Sequence, residues 1–238
     1  MFEDAIEYPW RGEQHVETIV IGGVLTLLGI LFIPVLFVNG YHVRVIRRVS
    51  AGETEAPPVF DDWGDLLVDG LVTLLIGFAY MLVPLVLFLV SWFAIFIPVA
   101  GSGVGGSAGD VFAVLGVVAV LAFMLVAFLV GLAALYLLPA AVAAYAVTGE
   151  VGSAFSPSTI RSVGVDKAYL TGVVIAVAIN FLAQLAGNVV VFTIVGIVLI
   201  PFITFYGNVA SAYAIGAGVA DTPLCADEPE PDANQPTY

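Results

Sequence analysis

The sequence predicts an all-α fold, a polytopic transmembrane helical bundle of about five spans with two cytoplasmic elbows, and three observations predict it. Residues are 61% hydrophobic, and between Thr18 and Ala220 the chain is apolar almost throughout. Charge in that stretch falls only at Asp110 and in two breaks, Arg44 to Asp69 and Glu150 to Lys167. The apolar runs do not alternate, so in hydrocarbon, which offers no hydrogen-bond partners, helices rather than barrel strands would satisfy the backbone. Three segments follow: an acidic N-terminal segment 1–17, a transmembrane domain 18–220, and an acidic tail 221–238. In the tail, Pro229, Pro231 and Pro236 oppose helix formation and predict disorder.

The first span is expected from about Val16 to Val38, continuing as helix past Pro34 and Gly40 into Tyr41 to Arg48. Arg44, Arg47 and Arg48 then share a face by their spacing of three and four. The turn-forming Ala51-Gly52-Glu53 and Pro57-Pro58 lead to Asp61, Asp65 and Asp69, again on one helical face, with Trp63 suited to the membrane interface. The second span, Leu71 to Val99, exceeds the roughly 20 residues that a hydrocarbon core requires, and a bend is expected at Pro84. Gly101 to Asp110 reads as a flexible glycine-serine turn, and Val111 to Val147, with Pro139 near its end, as the third span. After the second break comes a block too long for one helix. Its turn is placed at Gly187-Asn188, giving a fourth span over Ala168 to Ala186 and a fifth from Val189 onward.

The two breaks resemble one another. Pro34, Tyr41, Gly52-Glu53, Phe60, Asp65 and Gly70 recur in order as Pro139, Tyr145, Gly149-Glu150, Phe155, Asp166 and Gly172, which suggests an internal hairpin repeat. Orientation follows from lysine and arginine. Five of the six basic residues lie in the breaks, so both breaks are expected in the cytoplasm. With five spans, the N-terminus would lie outside and the C-terminus in the cytoplasm. Nothing ahead of the first apolar run resembles a cleavable leader, so that span is expected to act as its own anchor.

The net charge is -13, from 19 acidic residues against five arginines and Lys167, which disfavours nucleic acid and an anionic lipid surface as partners. Acid excess with so little lysine fits a halophile, because molar salt screens repulsion beyond about 3 Å. Cys225 has no second cysteine and no metal-ligand spacing around it.

Gly40-Tyr41-His42-Val43-Arg44, then Pro58-Val59-Phe60-Asp61-Asp62-Trp63, then Asp69-Gly70-Leu71, resemble the signature of an archaeal membrane family, domain of unknown function 4013, frequent in haloarchaea. The resemblance covers most of Thr18 to Ala220. It implies an integral membrane protein and carries over no functional residue.

Candidate chemistry is sparse. Gly101 to Gly106 fits G-x-G-x-x-G, but its flanks are membrane spans where a dinucleotide site needs a strand and a helix. Gly105 to Gly109 fits G-x-S-x-G, but both histidines, His15 and His42, precede it and no strand carries it. No catalytic residue, cofactor or metal is therefore assigned. Asn180, Gln184 and Asn188, spaced by four, form a candidate polar intramembrane site, read either as a path for a small solute or as interhelical glue. A turn at Asn188 would leave only the first two in the stripe. His42, Arg44, Arg47, Arg48, Asp61, Asp65 and Asp69 form a candidate cytoplasmic elbow surface. Its carboxylates and His42 could hold a hard cation, or the acids could be solvated or paired with the arginines. Gly207, Ser211, Ala212, Gly216 and Ala220, with Ala210, Ala214 and Gly218 on the next row, allow close helix approach, within the chain or to another subunit.

The function expected is that of a non-catalytic membrane component associating with a membrane protein partner, an assembly or itself. The alternative is a small-solute transporter or channel using the polar stripe of the fourth span.

Overall fold

The computed structural model describes residues 1–94, 96, 107–191 and 193–226, which form helices and short 3-10 turns without a strand. The G-x-G-x-x-G letters and residues 227–238 of the tail lie outside the described residues.

The chain opens with α1 (Phe2–Glu7) and a 3-10 turn over Tyr8–Trp10, then enters α2 (His15–Leu27). α2 tightens into a 3-10 turn over Leu28–Leu31, Phe32 takes φ 66°, and α3 (Ile33–Ser50) begins. Pro34 sits in the first turn of α3, where its missing N–H would have been unsatisfied anyway. The expected continuation of the first helix past Pro34 is thus replaced by a reversal. A tightened turn, a left-handed residue and a proline together end one ladder and start another. The two outer ends of this hairpin meet. Arg11 Nη1, just before α2, donates to the Thr54 carbonyl at 3.3 Å, and the Tyr8 hydroxyl donates to the Ala56 carbonyl at 3.2 Å. The N-terminal segment therefore lies beside the first break, whereas a single outward-to-inward crossing would have separated them.

α4 (Trp63–Ala94) contains Pro84, and α5 (Ser107–Thr148) contains Pro139. Ser107 to Asp110, expected in the glycine-serine turn, already belong to α5. The two breaks are built differently. The first has no helix between Ser50 and Trp63, whereas the second holds a 3-10 turn, Val151–Phe155, and α6 (Pro157–Gly164). Asp166 then caps α7 (Lys167–Val190) by accepting from the Ala168 N–H at 2.7 Å. α7 runs straight through Gly187 and Asn188. The helix stops at Val190, and the Thr193 side chain accepts from the Gly196 N–H at 2.9 Å and starts α8 (Ile194–Ala220). The expected Gly187-Asn188 turn is corrected accordingly, since a glycine inside a helix costs only about 1 kcal/mol and need not end it. A short α9 (Pro223–Ala226) occupies the start of the tail.

Among the described residues, four helical stretches, Trp63–Ala94, Gly109–Thr148, Lys167–Val190 and Gly196–Ala220, are long and apolar enough to cross a membrane. The pair Phe2–Trp10 and His15–Leu31, bent by 90°, would make a fifth if counted as one span. The chain has the make-up of a multi-pass helical membrane protein.

Two compact units divide it: Met1–Ile76 with Pro139–Tyr238, and Gly77–Leu138. The first is organised around the C-terminal half of α8, where Phe205, Val209, Ala210, Ala214 and Val219 are buried. Gly22 and Gly23 of α2 leave room for the rings of Phe205 and Phe202. Gly207 and Gly218 pack against Ala183 and Ala168 of α7, and Gly216 against Val49 of α3. These small residues of the last run thus serve packing within the chain. α3 and α4 cross at Gly40 and Gly70, where an added Cβ would strike the Leu66 and Leu36 carbonyls respectively. The second unit pairs parts of α4 and α5, with Pro84 approaching Gly131.

Candidate functional site

The polar elbow of the first unit forms where α3, α4 and α5 converge. Arg47 stands in the last turn of α3, a position that favours a cation because the helix C-terminus carries partial negative charge. Its Nη1 and Nη2 donate to Asp69 Oδ2 and Oδ1 at 3.0 and 3.3 Å, and its Nε donates to the Ala146 carbonyl at 2.9 Å. Asp69 Oδ1 also accepts from the Tyr145 hydroxyl at 2.7 Å. Three helices are thereby joined by one carboxylate. The Asp69 side chain is 10% exposed and that of Arg47 41%, so the acid is the buried partner and the base reaches water.

The remaining charges are arranged less deeply. Arg44 pairs with Asp61 and also donates to the Val59 carbonyl at 3.2 Å. Arg48 lies 3.6 Å from Glu53, with both side chains well exposed. Asp65 is exposed. The anticipated elbow surface therefore splits into Arg47–Asp69, Arg44–Asp61 and Arg48–Glu53 pairs, with His42 directed elsewhere. No group of three His, Cys, Asp or Glu residues among the described residues is placed to hold a metal ion. The sequence reading missed Tyr145 as the third member of the Arg47–Asp69 group, and Ala146 as its carbonyl acceptor. Its only signal was a polar ring near the end of an apolar run.

His42 turns inward. Its ring stacks on Phe205 at a centroid distance of 6.2 Å, next to the buried Tyr41, whose hydroxyl donates to the Pro58 carbonyl at 2.8 Å. The residue as a whole keeps some surface, yet Nε2 is covered and has no hydrogen-bond partner.

A hollow of about 320 Å³ beside Arg47, Ser50, Val147, Ala220 and Cys225 lies at the C-terminal ends of α3, α5 and α8. An anion there would face three negative helix ends, opposed by a guanidinium already bonded to Asp69. The hollow does not read as an anion site.

The polar stripe of the fourth span resolves into unequal parts. Asn180 Nδ2 donates to Ser211 Oγ at 2.7 Å and to the Ala176 carbonyl at 3.1 Å, while Ser211 Oγ donates to the Gly207 carbonyl at 2.8 Å. Asn180 thus fastens α7 to α8. Gln184 and Asn188 share its helix and are exposed. A hollow of about 390 Å³ beside the same helix, lined by Ile179, Leu182, Ala183, Phe202 and Tyr206 among others, is almost wholly apolar.

Residues 24–192 match the family described as protein of unknown function (DUF4013). The chain belongs to that family. No curated protein and no solved structure matches it. The DUF4013 segment takes in the whole Arg47–Asp69–Tyr145 group and the α3–α4 crossing, and ends at the turn before α8.

Proposed function

We propose that this DUF4013 protein is a non-catalytic integral membrane component that associates with another membrane protein through its second unit, Gly77–Leu138. The observation carrying this reading is an apolar cleft of about 590 Å³ within that unit, lined by Pro84, Phe88, Leu121, Met124, Phe128 and Gly131 among others. Lipid is as apolar as leucine, so helices associate in membranes through shape and close packing rather than through hydrophobicity. A cleft beside Pro84 supplies shape, and Met124 supplies a side chain that adapts to what enters. The transporter reading draws less support, because Asn180 is bonded within the helix pair and the neighbouring hollow is apolar. By the lysine and arginine rule both breaks face the cytoplasm. The acid excess supports a haloarchaeal origin and a fold adapted to high salt.

Crosslinking in native membranes under high salt, followed by purification, tests the association. The unsubstituted chain is expected to retain a membrane protein that Gly131→Leu, which fills the cleft, releases without changing the melting of the rest of the chain. A second copy would appear as a crosslinked band of twice the mass. Recovery of the unsubstituted chain alone would overturn the reading.

A further inference from the structure

We propose that residues 15–50 form a re-entrant hairpin that enters and leaves the bilayer at the end carrying the polar breaks, with its apex, residues 28–33, held in hydrocarbon. The N-terminus then lies on the same side as the breaks and the C-terminus, and the chain crosses the membrane four times.

The geometry of the ends carries this first. Arg11 and Tyr8 are bonded to Thr54 and Ala56, so the polypeptide that leaves the N-terminal segment through α2 returns through α3 to the same place. Length carries it next. No charge occurs between Glu17 and Arg44. At 1.5 Å per residue, Glu17 to Leu31 reaches about 21 Å and Ile33 to Arg44 about 17 Å. Both arms fall short of the roughly 30 Å hydrocarbon core that a full crossing must span.

The surface of the hairpin matches hydrocarbon. Val16, Val20, Val24, Leu27 and Leu28 form an exposed apolar row along α2, which runs into Ile30 at 93%, Leu31 at 63% and Ile33 at 60% exposure. Water at the tip would meet Ile30, Leu31 and Ile33 with more than half of each residue's surface bare. The backbone is prepared for a dry setting as well. The Phe32 N–H donates to the Gly29 carbonyl at 2.9 Å, the Phe32 carbonyl accepts from Val35 at 3.1 Å, and Pro34 has no N–H to satisfy.

Single cysteines placed in a Cys225→Ser chain, labelled with an impermeant maleimide on sealed vesicles of each orientation, test the proposal. Glu13→Cys and Glu55→Cys should react from one side, Asn188→Cys from the other, and Ile30→Cys from neither. Reaction of Glu13→Cys together with Asn188→Cys would overturn the shared side. Reaction of Ile30→Cys from the Asn188 side would show a complete crossing, and from the Glu55 side a water-exposed tip; either overturns the re-entrant hairpin. Epitope tags at the two termini of the otherwise unsubstituted chain give an independent reading: antibody access to both from one side is expected, and access from opposite sides would overturn the topology.

Discussion

Arg47→Met is expected to destabilise the first unit by about 3 kcal/mol, because it leaves the Asp69 carboxylate buried with only the Tyr145 hydroxyl to face it. The reverse deletion should be milder. In Asp69→Asn the guanidinium can turn to the water it already touches and keep its bond to Ala146, so a loss of about 1 to 2 kcal/mol follows. Removing the pair together, as Arg47→Met with Asp69→Asn, should cost less than Arg47→Met alone, since no charge is left buried without a partner. Tyr145→Phe removes one hydrogen-bond donor to Asp69 and should cost about 1 kcal/mol. Denaturation midpoints of the four variants in one detergent measure all of this. Additivity of the two single losses in the double variant would show that the residues do not act as a pair.

Gly40→Ala and Gly70→Ala should each cost about 2 to 3 kcal/mol or more, although each adds a single methyl group. At both positions the new Cβ would meet a backbone carbonyl of the other helix, Leu66 or Leu36, and a backbone cannot turn aside as a flexible side chain can. The helices must separate, and Arg47 would then be drawn away from Asp69, which follows Leu66 by less than one turn. Gly77→Ala provides the comparison, as nothing lies within 4 Å of its added Cβ, and no loss of stability is expected there. Thermal shift assays on the three variants distinguish a crossing held by close approach from one that tolerates a methyl.

The helical membrane class was legible because long apolar runs separated by charge have few other solutions. The arginine face of α3 and the acid face of α4 were also legible, as was their pairing as one alternative, since three and four residue spacings fix which residues share a face. Which acid met which arginine was not. That depends on the α3–α4 crossing at Gly40 and Gly70, and a crossing is a relation between elements that spacing within one element does not contain. The reversal at Phe32 was hidden for a related reason: Gly29 and Pro34 occur inside an unbroken apolar run, and apolarity cannot distinguish one long arm from two short ones. At the last turn the wrong signal was weighted. Gly187-Asn188 looks like a turn, but Thr193 ahead of an apolar run is a helix cap, and the capping hydrogen bond decides where α8 begins.

The central place of α8 has a consequence in time. It is made after α2, α3 and α7, yet all three pack on it. Gly22 is synthesised about 180 residues before the Phe205 ring that covers it. At 5 to 20 residues per second this leaves roughly ten to forty seconds in which the N-terminal hairpin has no native seat. During synthesis, the faces around Gly22, Gly23 and His42 must be sheltered by lipid or by the insertion machinery, and a chain truncated before α8 would keep them uncovered for good.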